Sequence, residues 1–259
     1  MRKVKREEIN HFLALYQRYC SLRKVSTYTG RSVNTIKKYL NGRIQIHLKN
    51  IVTEADLSND LLIGIYVGIW MGDGTQYYDN SYTIKICSNK QQLKLNKFIQ
   101  GVVKDIFGKD SCLIEEKNTN RAYIKFHSKF IYNFIFDFVS IDENKTKTVR
   151  LKEPIRSYSV GFLKGVLLGL SLSDGYLRKT FKFNVISEQL SNNVILILQK
   201  LGYNPKRYIH NRSKYHWNDL HMVSLSRSES RKLSSHFDEI LKDMDSNATF
   251  SELKKVAPR

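Results

Sequence analysis

The chain has 259 residues, 41% apolar and 12% aromatic, which suits a buried core and excludes a disordered tail. Lys and Arg number 43 against 24 Asp and Glu, a formal net charge of +19. An excess this large, present in the first sixty residues, the middle and the last hundred alike, points to an extended polyanion such as a nucleic-acid duplex. Residues 7–19 place Phe12, Leu13, Tyr16 and Tyr19 at helical spacing, with Glu7 and Glu8 at the favourable end of the dipole. A second short helix is predicted over Leu22 to Tyr28. A third runs from Val33 to Leu40, with Ser32 as its cap and Asn41-Gly42 as its stop.

Two short helices joined through Thr29-Gly30-Arg31-Ser32 form a helix-turn-helix pattern, whose second helix leads into the major groove. Val33, Ile36 and Leu40 fall on the core side. Arg31, Asn34, Thr35, Lys37 and Lys38 fall largely on the other side and suit bases and phosphates. The blander alternative is a three-helix packing module with solvated charges. The expected organisation is a helix-turn-helix domain over 1–48, a linker over 49–57, two further subdomains over 58–150 and 151–245, and a loose tail over 246–259.

Those two subdomains are inferred from an internal repeat. Aligning Asp73 with Asp174 brings Gly64, Gly68 and Gly72 opposite Gly165, Gly169 and Ser173. Each apolar helix then carries small residues at i, i+4 and i+8 on one face, at a cost of about 1 kcal/mol per helical glycine. Small residues let two backbones approach closely, so the two helices are expected to pair along these ladders as a pseudo-twofold. Both end in Asp-Gly, with Gly74 and Gly175 read as C-terminal stops. Pairing brings both carboxylates to one end of the seam, where like charges near negative dipole ends call for a cation. That is a site for a hard divalent metal.

The segments after the two helices repeat as well. Strands are predicted at 81–89, 112–117 and 121–127, with helices over 91–106 and 128–139. In the second half, strands are predicted at 180–187, 206–212 and 220–226, with helices over 188–200 and 228–242. One sheet face in each half is basic, polar and aromatic. Thr83, Lys85, Arg121, Tyr123, Lys182, Asn184, Tyr208, His210 and Arg212 are its candidates for base and phosphate contacts.

The segments YVGIWMGDG at 66–74 and LLGLSLSDG at 167–175 resemble the two motifs of the LAGLIDADG homing endonucleases, and the likeness extends over roughly 58–245. It implies an α+β fold: two αββαββα subdomains forming a DNA-binding saddle, here behind a small all-α helix-turn-helix domain. It implies a site-specific double-strand DNA endonuclease that leaves short 3′ overhangs and acts as a monomer on a long target. Asp73 and Asp174 would bind Mg²⁺, which Mn²⁺ can replace, with Gly72 and Ser173 beside them at the metal. Basic or amide groups near the metals are expected from Ser88, Asn89, Lys90 and Lys125 in the first half, and from Ser187, Glu188, Gln189 and Ser224 in the second. Lys125 is the catalytic candidate among them, and Asn89 and Ser224 are also expected at the DNA. No lysine matches Lys125 in the second half, which predicts one strand cut more slowly. Met71 and Leu172 replace the motif's first Asp, at a position that faces the core.

Two rivals stand beside this reading. LAGLIDADG folds joined to helix-turn-helix domains occur among non-cleaving bacterial regulators, which usually lose the acids that this chain keeps. An RNA maturase on the same fold would add intron RNA to the partners. A zinc site at His210, His216, Asp219 and His221 is disfavoured, because a hairpin sends alternate residues to opposite faces. Three well-separated cysteines indicate no disulfide framework. With no signal core and no bilayer-length apolar run, the protein is expected to be intracellular and non-secreted, in cytoplasm or organelle matrix, without a membrane partner.

Overall fold

The computed structural model describes the chain except for residues 1–3, 5, 20, 41–51, 53, 178, 213, 215, 245–247 and 255–259. Three short helices come first: α1 (Arg6–Tyr19), α2 (Leu22–Thr29) and α3 (Val33–Leu40). Ser21 caps α2, and Gly30 ends it in the left-handed region at φ 66°, donating its N–H to the Ser26 carbonyl. The Ser32 hydroxyl accepts the Thr35 N–H at 3.1 Å and so starts α3. Phe12, Val25, Ile36 and Leu40 close a small separate core. Asn41-Gly42, expected to stop α3, and most of the predicted linker lie outside the described residues.

The larger body begins with α4 (Asp60–Asp73), capped by Asn59. It continues through β1 (Gly74–Tyr78), β2 (Tyr82–Asn89), α5 (Leu93–Phe107), β3 (Cys112–Glu115), β4 (Arg121–His127) and α6 (Lys129–Phe134). A single 3₁₀ turn (Ile135–Asp137), β5 (Val139–Ser140), α7 (Lys145–Thr148) and β6 (Arg150–Leu151) lead to the second half. That half holds α8 (Val160–Ser173), β7 (Gly175–Leu177), β8 (Phe181–Val185), α9 (Glu188–Lys200), β9 (Lys206–His210), β10 (Leu220–Ser224) and α10 (Arg227–Asp243), and then α11 (Phe250–Leu253).

The two halves have the same topology. Their antiparallel sheets run β1-β2-β4-β3 and β7-β8-β10-β9. One continuous core joins them, centred on α4 and α8. Both helices are buried on all sides, from Ile63 to Met71 and from Phe162 to Leu172 with few gaps, as expected of elements at the middle of a body.

The glycine ladders explain how α4 and α8 come so close. A β-carbon on Gly68 would lie 2.9 Å from the Leu170 amide nitrogen and collide with the Val166 carbonyl oxygen. A β-carbon on Gly169 would lie 2.7 Å from the Ile69 amide nitrogen and collide with the Ile65 carbonyl oxygen. The contacts are reciprocal across the repeat, which is the signature of a pseudo-twofold pair.

Four expectations are corrected. Gly74 does not stop α4 through a left-handed turn: its φ is −79°, extended, and it is the first residue of β1. What requires glycine there is space, since a β-carbon would lie 2.6 Å from the Trp70 carbonyl oxygen. The helix expected over 128–139 is shorter, ending in the 3₁₀ turn before the two-stranded β5–β6 ribbon. Within the expected loose tail, Phe250–Leu253 form α11, held by a Thr249–Glu252 capping box, with Phe250 and Leu253 buried in the main core. Cys112 is disulfide-bonded while Cys87 is free. No helix among the described residues is long and apolar enough to cross a membrane.

Candidate active site

The ends of α4 and α8 lie side by side. Asp73 is the last residue of α4, and Asp174 is the C-cap of α8, its N–H bonded to the Leu170 carbonyl. At this end of the seam Gly72 faces Ser173, and a β-carbon on Gly72 would lie 3.0 Å from an Asp174 carboxylate oxygen. Asp73 is half-buried, whereas Asp174 keeps one side open to solvent. Burial, and then the neighbouring Asp174 carboxylate, push Asp73 up to about 7. Burial raises Asp174 as well, against the pull of Lys145 and Lys254.

Those two lysines were not legible in the sequence. Lys145, at the start of α7, donates to the carbonyls of Gly72 at 3.1 Å and Gly74 at 2.5 Å. Lys254, just past α11, donates to the carbonyls of Leu172 at 3.0 Å and Ser173 at 3.1 Å. Each ammonium thus closes the C-terminal end of one motif helix, where orphan carbonyls and the negative dipole end favour a cation. Lys145 also lies 4.8 Å from the centre of the Trp70 ring. Burial lowers Lys145 to about 8, opposed by Asp174 and Asp73. One residue comes from the segment between the halves and the other from the expected tail. No local spacing marks either of them.

Two carboxylates that repel each other while half-withdrawn from water fit a hard divalent cation, whose charge would relieve both costs. The carbonyls of Gly72 and Ser173, expected at the metal, accept lysine hydrogen bonds here. Among the described residues no cluster of three or more His, Cys, Asp or Glu forms, so carboxylates, carbonyls and water are the available donors. A cavity of about 340 Å³ opens beside the pair, lined by Gly72, Lys145, Asp174, Asn184 and Arg212 among others. Cys87 lies close enough for the Asp73 charge to raise its thiol, after burial.

Other expected neighbours are engaged elsewhere. Lys125 stands opposite Lys85 on β4, two strands across from β1, and lines a separate cavity with Lys109 and His127; the cations that act on the two carboxylates are Lys145 and Lys254 instead. Ser88 donates to Asn96 Oδ1, and the Asn89 carbonyl accepts from Asn96 Nδ2 at 3.0 Å. Lys90 uses its backbone N–H on the Asn120 carbonyl. Ser187 is buried as the cap of α9, Glu188 pairs with Arg207 at 2.9 Å, and Gln189 accepts from Arg150 at 3.0 Å. The slow-strand asymmetry drawn from Lys125 has no structural basis at this site, because each motif helix has its own lysine.

One face of each sheet holds most of the remaining candidates. Lys85 sits between the rings of Tyr77 and Tyr123, at 4.9 and 5.4 Å from their centres. Arg121, Lys182, Asn184, Tyr208 and His210 are exposed, and Asn89 and Ser224 are partly so. Arg212 packs over Trp217 at 5.5 Å and reaches the Asp174 cavity. Thr83 is corrected: it is 1% exposed, and its hydroxyl is spent on His127 Nδ1 of the neighbouring strand at 3.0 Å and on the Ser81 hydroxyl at 3.2 Å. His221 is buried, with Arg207 donating to its Nδ1 at 2.9 Å, and its Cα partner on β9 is Ile209. His210 therefore points to the other face, and the histidines form no common site. In the N-terminal unit, Asn34, Lys37 and Lys38 are exposed, but Arg31 is tied to Glu8 at 2.6 Å and Thr35 to Ser32.

No family model and no curated protein matches this chain. Solved structures do. I-DmoI in complex with DNA and Mn is 16% identical, with a TM-score of 0.52 over 69% of this chain and 96% of that one. A structure of mesophilic variants from the homing endonuclease I-DmoI is 18% identical, with a TM-score of 0.52 over 69% and 90%. Full-length DUF199/WhiA from Thermatoga maritima is 15% identical, with a TM-score of 0.50 over 83% of this chain and 68% of that one. At these identities the likeness is one of fold. Together with the paired motif helices and the two matching sheets, it establishes that this chain has the LAGLIDADG fold.

Proposed function

We propose that this chain is a divalent-metal-dependent, site-specific DNA endonuclease that cuts both strands of a long target and leaves short 3′ overhangs. The observation that carries the reading is the convergence of Asp73 and Asp174 at one end of the paired helices, each with a lysine closing its helix. A fold neighbour solved with DNA and Mn supports it.

Asp73 and Asp174 would hold the metal, one serving each strand. When bound, Mg²⁺ supplies Lewis-acid stabilisation of the phosphate and an activated water. The chain's own residues do the rest. Lys145 and Lys254 pull both carboxyls down against the rise that burial imposes, and hold the helix ends in place. Lys85, Arg121, Tyr123 and Lys125 on one sheet, and Lys182, Asn184, Tyr208 and His210 on the other, bind and orient the duplex. Asn34, Lys37 and Lys38 on α3 add contacts beyond the saddle.

The test is a cleavage selection on a randomised duplex library with Mg²⁺, with EDTA and Asp73→Asn as controls. One long site cut on both strands is the expected result. Removing a carboxylate should slow cleavage by on the order of 10³-fold or more while leaving duplex binding intact. Specific retention of a duplex without any cut would replace the nuclease reading with that of a DNA-binding regulator.

A further inference from the structure

We propose that the cleft between the N-terminal helices and the outer end of the first sheet grips backbone phosphates of duplex DNA lying beyond the first half-site. The protein's footprint would then extend on that side alone. The inference rests on the duplex-binding reading above and deepens it.

Strand register gives the cleft its place. Gly74, beside Asp73, stands opposite Ile86, so that end of β1 and β2 lies at the carboxylates. The strands then run outward to Thr83 opposite His127, and Cys112 opposite Lys125. Lys125 lies one pair outward of the Gly74 row but two strands across from β1, beside the edge strand β3, and His127 lies two pairs further out. A cavity of about 620 Å³ opens there. Arg18 and Lys24, at the junction of α1 and α2, form one wall, and Lys109, Lys125 and His127 form the other.

The charge of this cleft is unbalanced. Its one lining carboxylate, Asp110, lies 3.7 Å from Lys104 and acts on Lys109, so it does not offset Arg18, Lys24 and Lys125. Arg18 and Lys24 make no ion pair with a described residue. Their charges lie 5.5 and 5.6 Å from the centre of the Tyr19 ring, which stacks on Tyr28 at 4.8 Å. The aromatic pair holds two cations in place without neutralising them. On the facing wall, burial lowers His127, and the nearby Lys125 and Lys109 lower it further. Like charges gathered at one place are costly until a polyanion arrives.

Continuity identifies the ligand. Lys85 and Lys125 are cross-strand partners, so the line of cations leads from the sheet face that carries Lys85 directly into the cleft. A backbone following that face reaches Lys125 and then Arg18 and Lys24. Among the described residues the second half has no counterpart: the corresponding edge strand β9 leaves Tyr208 and Ile209 more than half exposed.

The experiment measures binding of the full chain in EDTA to duplexes of about 20 and about 45 base pairs over a range of salt. The Arg18→Glu/Lys24→Glu variant is compared with the wild type and with Lys37→Glu/Lys38→Glu on α3. On the long duplex, the cleft variant should bind at least tenfold more weakly, and its slope of log K against log salt should shrink by about two. On the short duplex it should match the wild type. Arg18→Gln/Lys24→Gln should show the same loss in weaker form, which covers a misfolded charge-reversal variant. Equal slopes for wild type and cleft variants, with binding intact and the α3 variant weakened, would overturn the cleft. Failure of the wild type to bind any duplex would instead overturn the duplex-binding reading.

Discussion

The Lys145 ammonium bonds the carbonyl of Gly74, the residue after Asp73, at 2.5 Å. This one contact ties the segment between the halves to the first motif helix and places a cation beside both carboxylates. Lys254 repeats the arrangement on the second helix from the far end of the chain.

The lysines should tune the carboxylates rather than merely brace them. Lys145→Met or Lys254→Met removes a charge that lowers Asp73 and Asp174. The cleavage pH profile of either variant should shift about one unit toward alkali, with duplex binding in EDTA changed by less than about threefold. A lower rate with an unmoved profile would indicate bracing alone.

The metal-free protein should lose stability as pH rises. Folding raises Asp73 from 3.8 to about 7, so the native state holds its proton more tightly than the unfolded chain does. The stabilising effect of that proton is full below about 3.8 and is lost as pH climbs through about 7. Melting temperatures in EDTA should therefore fall from about pH 5 to about pH 8 in the wild type and much less in Asp73→Asn. Mg²⁺ at a hundredfold excess over its Kd should restore about 2.7 kcal/mol at the higher pH. Parallel falls in the two proteins would remove Asp73 from the explanation.

Two helical glycines should respond in opposite directions to alanine. Gly68→Ala drives a methyl into the α8 backbone and should cost about 3 kcal/mol or more. Gly101→Ala, on α5 with nothing within 4 Å of the new carbon, should gain about 0.5–1 kcal/mol from helix propensity. Urea midpoints of the two variants give the comparison, and similar shifts would refute the close-packed seam.

The chain's last helix should matter to activity. Phe250→Ala empties a buried site and should cost about 3 kcal/mol. At temperatures where the variant is folded, its cleavage should also slow, because α11 positions Lys254. Unchanged stability would return residues 248–254 to the status of a tail.

Patterns set by neighbours in the chain were readable from the sequence. Glycine spacing, the Asp-Gly repeat and strand alternation identified α4, α8 and the two carboxylates, because periodicity reports directly which face is buried. The caps of α2 and α3 are equally local. Only tertiary structure decided which side chains meet. It set Lys125 beside the edge strand, in the outer cleft and apart from the two carboxylates, and buried Thr83 against His127. It brought Lys145 and Lys254 to the helix ends across more than seventy residues of sequence. Such contacts depend on where whole elements pack, and no spacing within the chain encodes them.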